Sequence, residues 1–422
     1  MKTKYELIVV GGGFAGMGAA IAAARQGTDV LIVEKNGYLS GSAAMSYVNP
    51  FMGEYRIRSS EDGERDIVVN AGIFEEVRQQ LMNYGAYRKA GSAFNMEILK
   101  IIFDRMCKDA GVSVLFHAYV TDVVKADDRI SAINVACRGN KYTFEADCFI
   151  DATGDANLSY MAGCNCRLGR DADNLCQPMT LCFRMGEIDT ESYWKNLKDV
   201  QKIWKEKLSN GELLNPRENI LSFHLVEEGV VHLNTTRVVK KNPVDIIGLS
   251  EAEALAREQM LEFINFVREN IPGCENAQVI SAAPEIGVRE SRMIEGEYTV
   301  SVEDFFECVQ FEDSVARGAY PVDIHSPDGT GTLIQKIPVG KYYTIPYRSL
   351  IPKDMKNLLV AGRCISTTHE AQSAYRIMPI CCCIGEGAGV AASLAVKNSL
   401  SDVRDVNIDE VHAILDSVGA LY

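Results

Sequence analysis

No Cys-x-x-Cys pair occurs among the 13 cysteines, and Cys164-Asn165-Cys166 has no second pair nearby. That excludes the usual zinc and iron–sulfur ligand spacings. An odd number of cysteines scattered through a large chain fits a reducing cytosol better than a disulfide scaffold. Basic runs are missing too: Lys and Arg number 43 against 57 Asp and Glu, a net charge of −14. Nucleic acid and anionic membrane surfaces are therefore poor partners. The longest apolar stretches carry charges or glycines, and the first strand begins almost at the first residue. From this we expect no membrane insertion, no signal peptide and a cytoplasmic setting.

What is present is a chain of 422 residues with 47% hydrophobic and 24% charged content, enough for two or three domains. Tyr5-Glu6-Leu7-Ile8-Val9-Val10 ends as an apolar strand and breaks into Gly11-Gly12-Gly13-Phe14-Ala15-Gly16. An alanine-rich helix follows, closes at Gly27, and leads to a second strand ending at Glu34. In this pattern Gly11 permits the tight turn, Gly13 lets the backbone approach a pyrophosphate, and Gly16 allows close helix–strand packing. The helix offers free N–H groups and its positive dipole end to the phosphates. Glu34 can accept from ribose hydroxyls and would repel the extra phosphate of NADP. Dinucleotide binding follows; the choice between FAD and NAD does not.

The rest divides by pattern. Residues 37–53 form a small-residue loop past the ribose acid, including Gly41 and Ser42, and residues 60–91 read as polar helical material. Residues 94–110 carry a helical apolar stripe. Strands at 112–116, 119–125, 130–137 and 141–145 form a strand plus β-meander, before a separate apolar strand ending in Asp151-Ala152-Thr153-Gly154-Asp155. Composition then shifts. A strand at 178–186, a charged helix at 191–208, a strand at 230–239 and a helix at 250–270 capped by Ser250 suggest an inserted unit. A buried strand at 358–362 opens into Arg363, and a helix from about Pro379 to Lys397 carries Gly385, Gly387 and Gly389, which suggests close packing against a neighbour.

Four segments together resemble the FAD-dependent oxidoreductases of the glutathione-reductase superfamily, nearest the branch of fumarate reductase flavoproteins. They are Val10 to Gly16 with Glu34-Lys35, Asp151 to Asp155, Val288-Arg289-Glu290-Ser291-Arg292, and Asn357 to Met378. The resemblance implies an α/β fold: a doubly wound, Rossmann-like FAD/NAD(P)-binding domain with a β-meander, plus an inserted α+β substrate or cap domain. The corresponding parts are 1–174, 175–285 and 286–422. It implies FAD as cofactor, held by Gly11, Gly13, Phe14, Ala15, Gly16, Glu34, Lys35, Gly41 and Ser42. Val120 would lie near adenine, Thr153 and Gly154 near the ADP portion, Gly362 and Arg363 by the pyrophosphate and ribityl chain, and Ile377 and Met378 at the flavin pyrimidine. Where the family loop usually has a double glycine this chain has Ser40-Gly41, and it lacks the histidine of covalent flavoproteins. FAD is therefore expected to be non-covalent.

The expected activity is hydride transfer to or from a small polar, carboxylated substrate under the cap. Arg289 and Arg292, with Glu290 between them, are candidates to anchor a carboxylate or deliver a proton, with an ion-pair network joining the two units as the other reading. His369 is a candidate acid or base, or a structural loop histidine. His232, Asn234 and Arg237 are candidate substrate-lining residues sharing one strand face. Cys381-Cys382-Cys383 fall where a helix N-terminus would stabilise a thiolate, although small apolar packing explains them as well. No metal site is expected. An electron relay to a partner protein and a flavin-containing lyase or isomerase are the competing functions. The electron donor, whether a protein or external NAD(P)H, and a homo-oligomeric state stay open.

Overall fold

A computed structural model describes residues 2–52, 56–58, 66–329 and 331–422. The chain opens with β1 (Lys4–Val10), α1 (Phe14–Arg25) and β2 (Val30–Val33), followed by α2 (Ile73–Asn83), α3 (Met96–Asp109) and β3 (Ser113–Leu115). A meander of β4 (Tyr119–Ala126), β5 (Arg129–Cys137) and β6 (Asn140–Asp151) completes the first half. These strands pair in the order β3-β2-β1-β6-β5-β4.

β6 joins the two kinds of sheet. Its first half is antiparallel to β5, from Asn140 opposite Cys137 to Glu145 opposite Ala132. Its second half is parallel to β1, ending with Asp151 opposite Val10. The sequence explains the change. Asn140 to Thr143 face water, as an antiparallel strand tolerates, whereas Cys148 to Asp151 are buried throughout, as a parallel strand requires. The two strands expected at 141–145 and before Asp151 are therefore one strand. The expected helical material at 60–91 is also different: within the described residues it is α2 with buried Ile73, Phe74, Val77 and Leu81, flanked by short strand pairs. Part of that span, and Gly53, lies outside the described residues.

A second unit follows, made of β7 (Phe183–Gly186), α4 (Thr190–Ser209), β8 (Ser222–His224), β9 (Val231–Leu233), α5 (Ile246–Asn270) and β10 (Gln278–Ala282). Its sheet runs β8-β9-β7-β10. Strand alternation sends Phe183, Met185, Val231 and Leu233 into a core with Trp204, Phe263 and Phe266 of α4 and α5. Trp204 seals it by donating its indole N–H to the Arg217 carbonyl at 2.8 Å. Arg184 and His232, paired across β7 and β9, occupy the opposite face.

Two expectations change here. The strand expected at 230–239 stops at Leu233. α5 begins four residues earlier than expected, capped by Asp245, whose carboxylate accepts from the Gly248 amide at 2.8 Å. Ser250 sits inside the helix and donates back to the Ile246 carbonyl, so Asp245→Ala should lower stability by about 1 kcal/mol. Ser250→Ala should be nearly neutral in the same chemical denaturation measurement.

The C-terminal part returns to the first sheet. β11 (Leu358–Val360) pairs in parallel with β6 and leads to α6 (His369–Tyr375) and α7 (Met378–Lys397). α7 lies directly on α1. A β-carbon on Gly385 would fall 2.0 Å from the Ala15 carbonyl oxygen, and one on Gly389 2.1 Å from that of Ala19. Matching residues rise together along both helices, so the two run parallel. α7 is apolar and long enough by composition to cross a membrane, contrary to expectation, but nearly all of it is buried inside the protein.

Glu386 of α7 is buried and accepts from the Ile73 amide at the start of α2. Burial pushes its carboxyl up to about 7, against the opposing effect of that hydrogen bond. The folded protein therefore holds this proton more tightly than the unfolded chain does. Stability from this group is present below about pH 4.5 and is lost as pH rises to about 7, by roughly 3 kcal/mol in total. Glu386→Gln should flatten that slope and leave the variant more stable than the parent at pH 8, as read from denaturation midpoints at pH 5 and pH 8.

Candidate functional site

The glycine turn is built as a backbone-lined slot. A β-carbon on Gly16 would lie 1.8 Å from the Gly11 carbonyl oxygen, which is the close helix–strand approach expected of that position. Gly13 is different: a β-carbon there meets nothing nearer than the Gly41 Cα at 3.7 Å, so it faces a gap bounded by backbone. Gly362 abuts Ala15 at the start of α1, which brings the C-terminal turn to the same slot. Glu34 is buried at the end of β2. One of its oxygens accepts from the Gly12 amide at 2.7 Å and the other from the Asn36 amide at 2.8 Å. The slot, the two glycine-rich turns and the acid fit an adenine dinucleotide.

Other expected cofactor residues are disposed around it. Phe14 contributes only backbone, since its ring is packed edge-on against Phe51 and Phe103. Ser42 begins a four-residue helix, Ser42–Met45, after Gly41. Lys35 points outward to an ion pair with Glu285 at 2.8 Å. Val120 lies on β4 opposite Val135. Thr153 is held by Asp151, a fully buried carboxylate that also takes the Ser159 amide and hydroxyl at 2.8 Å each. Gly154 lies under the Arg363 guanidinium, which is paired with Asp155.

Ile377 caps α7 and Met378 is its first residue. Because Gly385 is level with Ala15, the seven residues from Met378 carry the start of α7 roughly 10 Å beyond the start of α1. The three cysteines of its first turns are buried. Their thiols are pushed up by burial, Cys381 and Cys383 each to about 12 and Cys382 well above the usual thiol value. Burial of all three agrees with the small-apolar-packing reading rather than with a stabilised thiolate.

The catalytic candidates separate. Arg289 donates to the Pro178 carbonyl at 2.6 Å, to the Thr180 hydroxyl and to Asn234 at 3.2 Å, bridging into the second unit. Arg292 instead reaches Asn157 at 3.2 Å and lies over the Tyr160 ring at 4.1 Å. With partners in different parts of the fold, the expected pair does not converge. Nor do His232, Asn234 and Arg237 share one strand face, because β9 ends at Leu233 and both Asn234 and Arg237 lie beyond it. His232 is fully buried beside Arg184, and burial pushes its pKa down to about 3, so the ring is neutral. Arg237, beyond the end of β9, donates to the Gly331 carbonyl at 2.7 Å and contacts Glu218.

Sequence reading missed two groupings. His369 Nδ1 lies 2.7 Å from the fully buried Glu290, whose other oxygen accepts from the Gln177 amide at 2.8 Å. Glu290 stood in plain view between the two arginines, but nothing local pointed it at residue 369. Second, Arg217 and Arg376 join Arg237 and Arg289 in one cluster. Burial first, and then the charges of Arg376, Arg217 and Arg237, hold the Arg289 guanidinium down to about 9.

The family model for FAD dependent oxidoreductases matches residues 6–415. The chain belongs to that family. This FAD dependent oxidoreductase is 29% identical over 162 residues to digeranylgeranylglycerophospholipid reductase 1 of Methanococcoides burtonii, covering 36% of this chain and 38% of that one. It is 27% identical over 183 residues to the corresponding reductase of Methanocella arvoryzae, covering 40% and 44%. The matches thus span less than half the length of either relative. Among solved structures, a geranylgeranyl bacteriochlorophyll reductase-like protein of Thermoplasma acidophilum aligns over 99% of this chain and 84% of that one, at 14% identity and a TM-score of 0.45. The flavin-dependent brominase Bmp2 aligns over 99% and 84%, at 12% identity and a TM-score of 0.48. The protein is an FAD-dependent oxidoreductase with a Rossmann-like core and an additional domain.

Proposed function

We propose that this oxidoreductase, of the fumarate reductase flavoprotein-like branch of the glutathione-reductase superfamily, exchanges a hydride with a small polar, carboxylated substrate. The substrate lies between an inserted cap, residues 175–285, and the FAD-binding parts, residues 1–174 and 286–422. The observation that carries this reading is the arginine cluster gathered beneath the second unit, at the end of the molecule where α7 begins. When bound, FAD supplies a site that accepts or donates the hydride.

The chain's own residues do the rest. Gly11, Gly13, Ala15 and Gly16 leave room for the pyrophosphate, with Gly41, Ser42 and Gly362 across the slot, while Glu34 takes ribose hydroxyls. Thr153, Gly154 and Arg363 border the ADP and ribityl portions, and Val120 the adenine. The free amides at Ile377 and Met378 and the positive end of α7 favour negative charge on a flavin pyrimidine. FAD is held without a covalent bond, since the loop offers no histidine. Arg289 anchors a carboxylate, and Asn234 and Thr180 fix the orientation of its guanidinium. His369 has Nδ1 engaged by Glu290, so Nε2 is the atom that exchanges a proton with the substrate carbon framework.

The test is anaerobic. Photoreduced holoenzyme is mixed with a panel of unsaturated and oxo acids, and flavin absorbance is followed. At least one acid should reoxidise it, and Arg289→Gln should slow that reaction by tenfold or more with FAD content unchanged. Reduction that persists with every acid would reject the reading.

A further inference from the structure

Gln177 is 1% exposed and lies just ahead of the stretch that leads into β7 of the second unit. Its side-chain oxygen is buried and has no hydrogen-bond partner among the described residues. The hydrogen-bond network fixes that the unmet atom is an acceptor. The Arg289 carbonyl can only accept, so the Gln372 side chain must donate to it, at 2.8 Å. Gln372 therefore turns its oxygen to Gln177, which must present its own nitrogen there, at 3.0 Å. Exchanging the two ends of the Gln177 amide would set oxygen against oxygen. The main chain is held as well, because the Gln177 amide donates to Glu290 at 2.8 Å. Side chain and backbone both being tied, Gln177 Oε1 has one direction open to it.

A second unmet atom stands on the same support. Arg363 pairs with Asp155 across Gly154, and its Nε is buried without a partner among the described residues. Gln372 and Tyr375, three residues apart in α6, share one face of that helix. Gln372 holds Gln177, and Tyr375 donates its hydroxyl to the Arg363 carbonyl at 2.8 Å. An unmet acceptor and an unmet donor are thus carried by neighbouring turns of one short helix. That helix ends two residues before Ile377, at the start of α7. Buried polar groups without partners are costly, and in native proteins they mark a partner that the chain itself does not supply.

We propose that Gln177 holds the cofactor, its side-chain oxygen accepting a hydrogen bond from the flavin half of FAD. That half carries what the site lacks: a ring N–H that donates, and ribityl hydroxyls that both donate to Gln177 and accept from Arg363. The proposal rests on FAD binding, which family membership carries, and not on a carboxylated substrate. It also ties the second unit to the cofactor. Pro178, next in the chain, gives its carbonyl to Arg289, so the strand entering that unit starts from a residue anchored to FAD on one side and to Glu290 on the other.

Gln177→Met keeps the length of the side chain and removes its oxygen. The FAD dissociation constant, read from flavin fluorescence on dilution of the holoenzyme, should rise at least tenfold while the circular dichroism matches the parent. Gln177→Asn keeps the amide but withdraws it by one carbon. A severalfold rise is expected there, and this variant serves if Gln177→Met does not fold. The midpoint potential of the bound flavin tells the two donors apart: a shift in the variant marks a ring N–H, and weaker binding at an unchanged potential marks a ribityl hydroxyl. An unchanged dissociation constant together with an unchanged potential, in a folded variant, would overturn the proposal and leave the oxygen to a buried water. Failure of every acid to reoxidise the flavin would leave it standing.

Discussion

Alanine at Gly13 is expected to fold as the parent does and to lose FAD. Its backbone, at φ −72° and ψ −173°, suits any residue, and a β-carbon there finds open space up to the Gly41 Cα at 3.7 Å. The protein alone has no reason to resist the change. A dinucleotide in the slot does, because the methyl group takes the space through which a pyrophosphate reaches the amides of α1. Gly13→Ala should therefore purify with the parent's circular dichroism and at least tenfold weaker FAD binding, read from the flavin absorbance retained after gel filtration. Gly16→Ala should behave otherwise. Its β-carbon collides with the Gly11 backbone, and α1 cannot retreat because Ala15 and Ala19 rest on Gly385 and Gly389. That variant should fail to fold, and added FAD should not restore it. If Gly13→Ala kept full flavin content, the cofactor would have to lie elsewhere.

The second large effect is expected at His369. The ring is buried on one side by Glu290, so it is held in one orientation with Nε2 as its working atom. His369→Ala should slow acceptor-driven reoxidation of the reduced enzyme by about 10²- to 10⁴-fold, the usual worth of a placed acid or base. FAD content and photoreduction should be unaffected. Glu290→Gln keeps an acceptor for Nδ1 but removes the charge, so a smaller loss is expected in the same stopped-flow assay. Equal losses in binding and in rate would mark the pair as structural.

What the sequence revealed follows from distance along the chain. The turn from Gly11 to Gly16 and the acid at Glu34 were readable because one strand, one helix and the next strand form a local unit. Gly385 and Gly389 announced a close neighbour, but nothing in α7 said that the neighbour was α1. A helix limit failed where local signals tied. Ser250 and Asp245 are both good caps, and the choice fell to where the apolar face of α5 had to begin packing. The shared face expected of His232, Asn234 and Arg237 failed because β9 ends at Leu233, so strand alternation does not carry as far as residue 237. The cluster of Arg217, Arg237, Arg289 and Arg376 draws on positions up to 159 residues apart. Only the tertiary fold shows that they meet.

The parallel contact of α7 with α1 has a consequence for the order in which the molecule is made. During synthesis the first helix emerges more than 350 residues before its partner, with the carbonyl oxygens of Ala15 and Ala19 left uncovered. Closing so long a loop is a late and slow event. The crevice between the two helix starts therefore acquires its second wall only after α7 has been made, and a flavin finds its full seat no earlier than that.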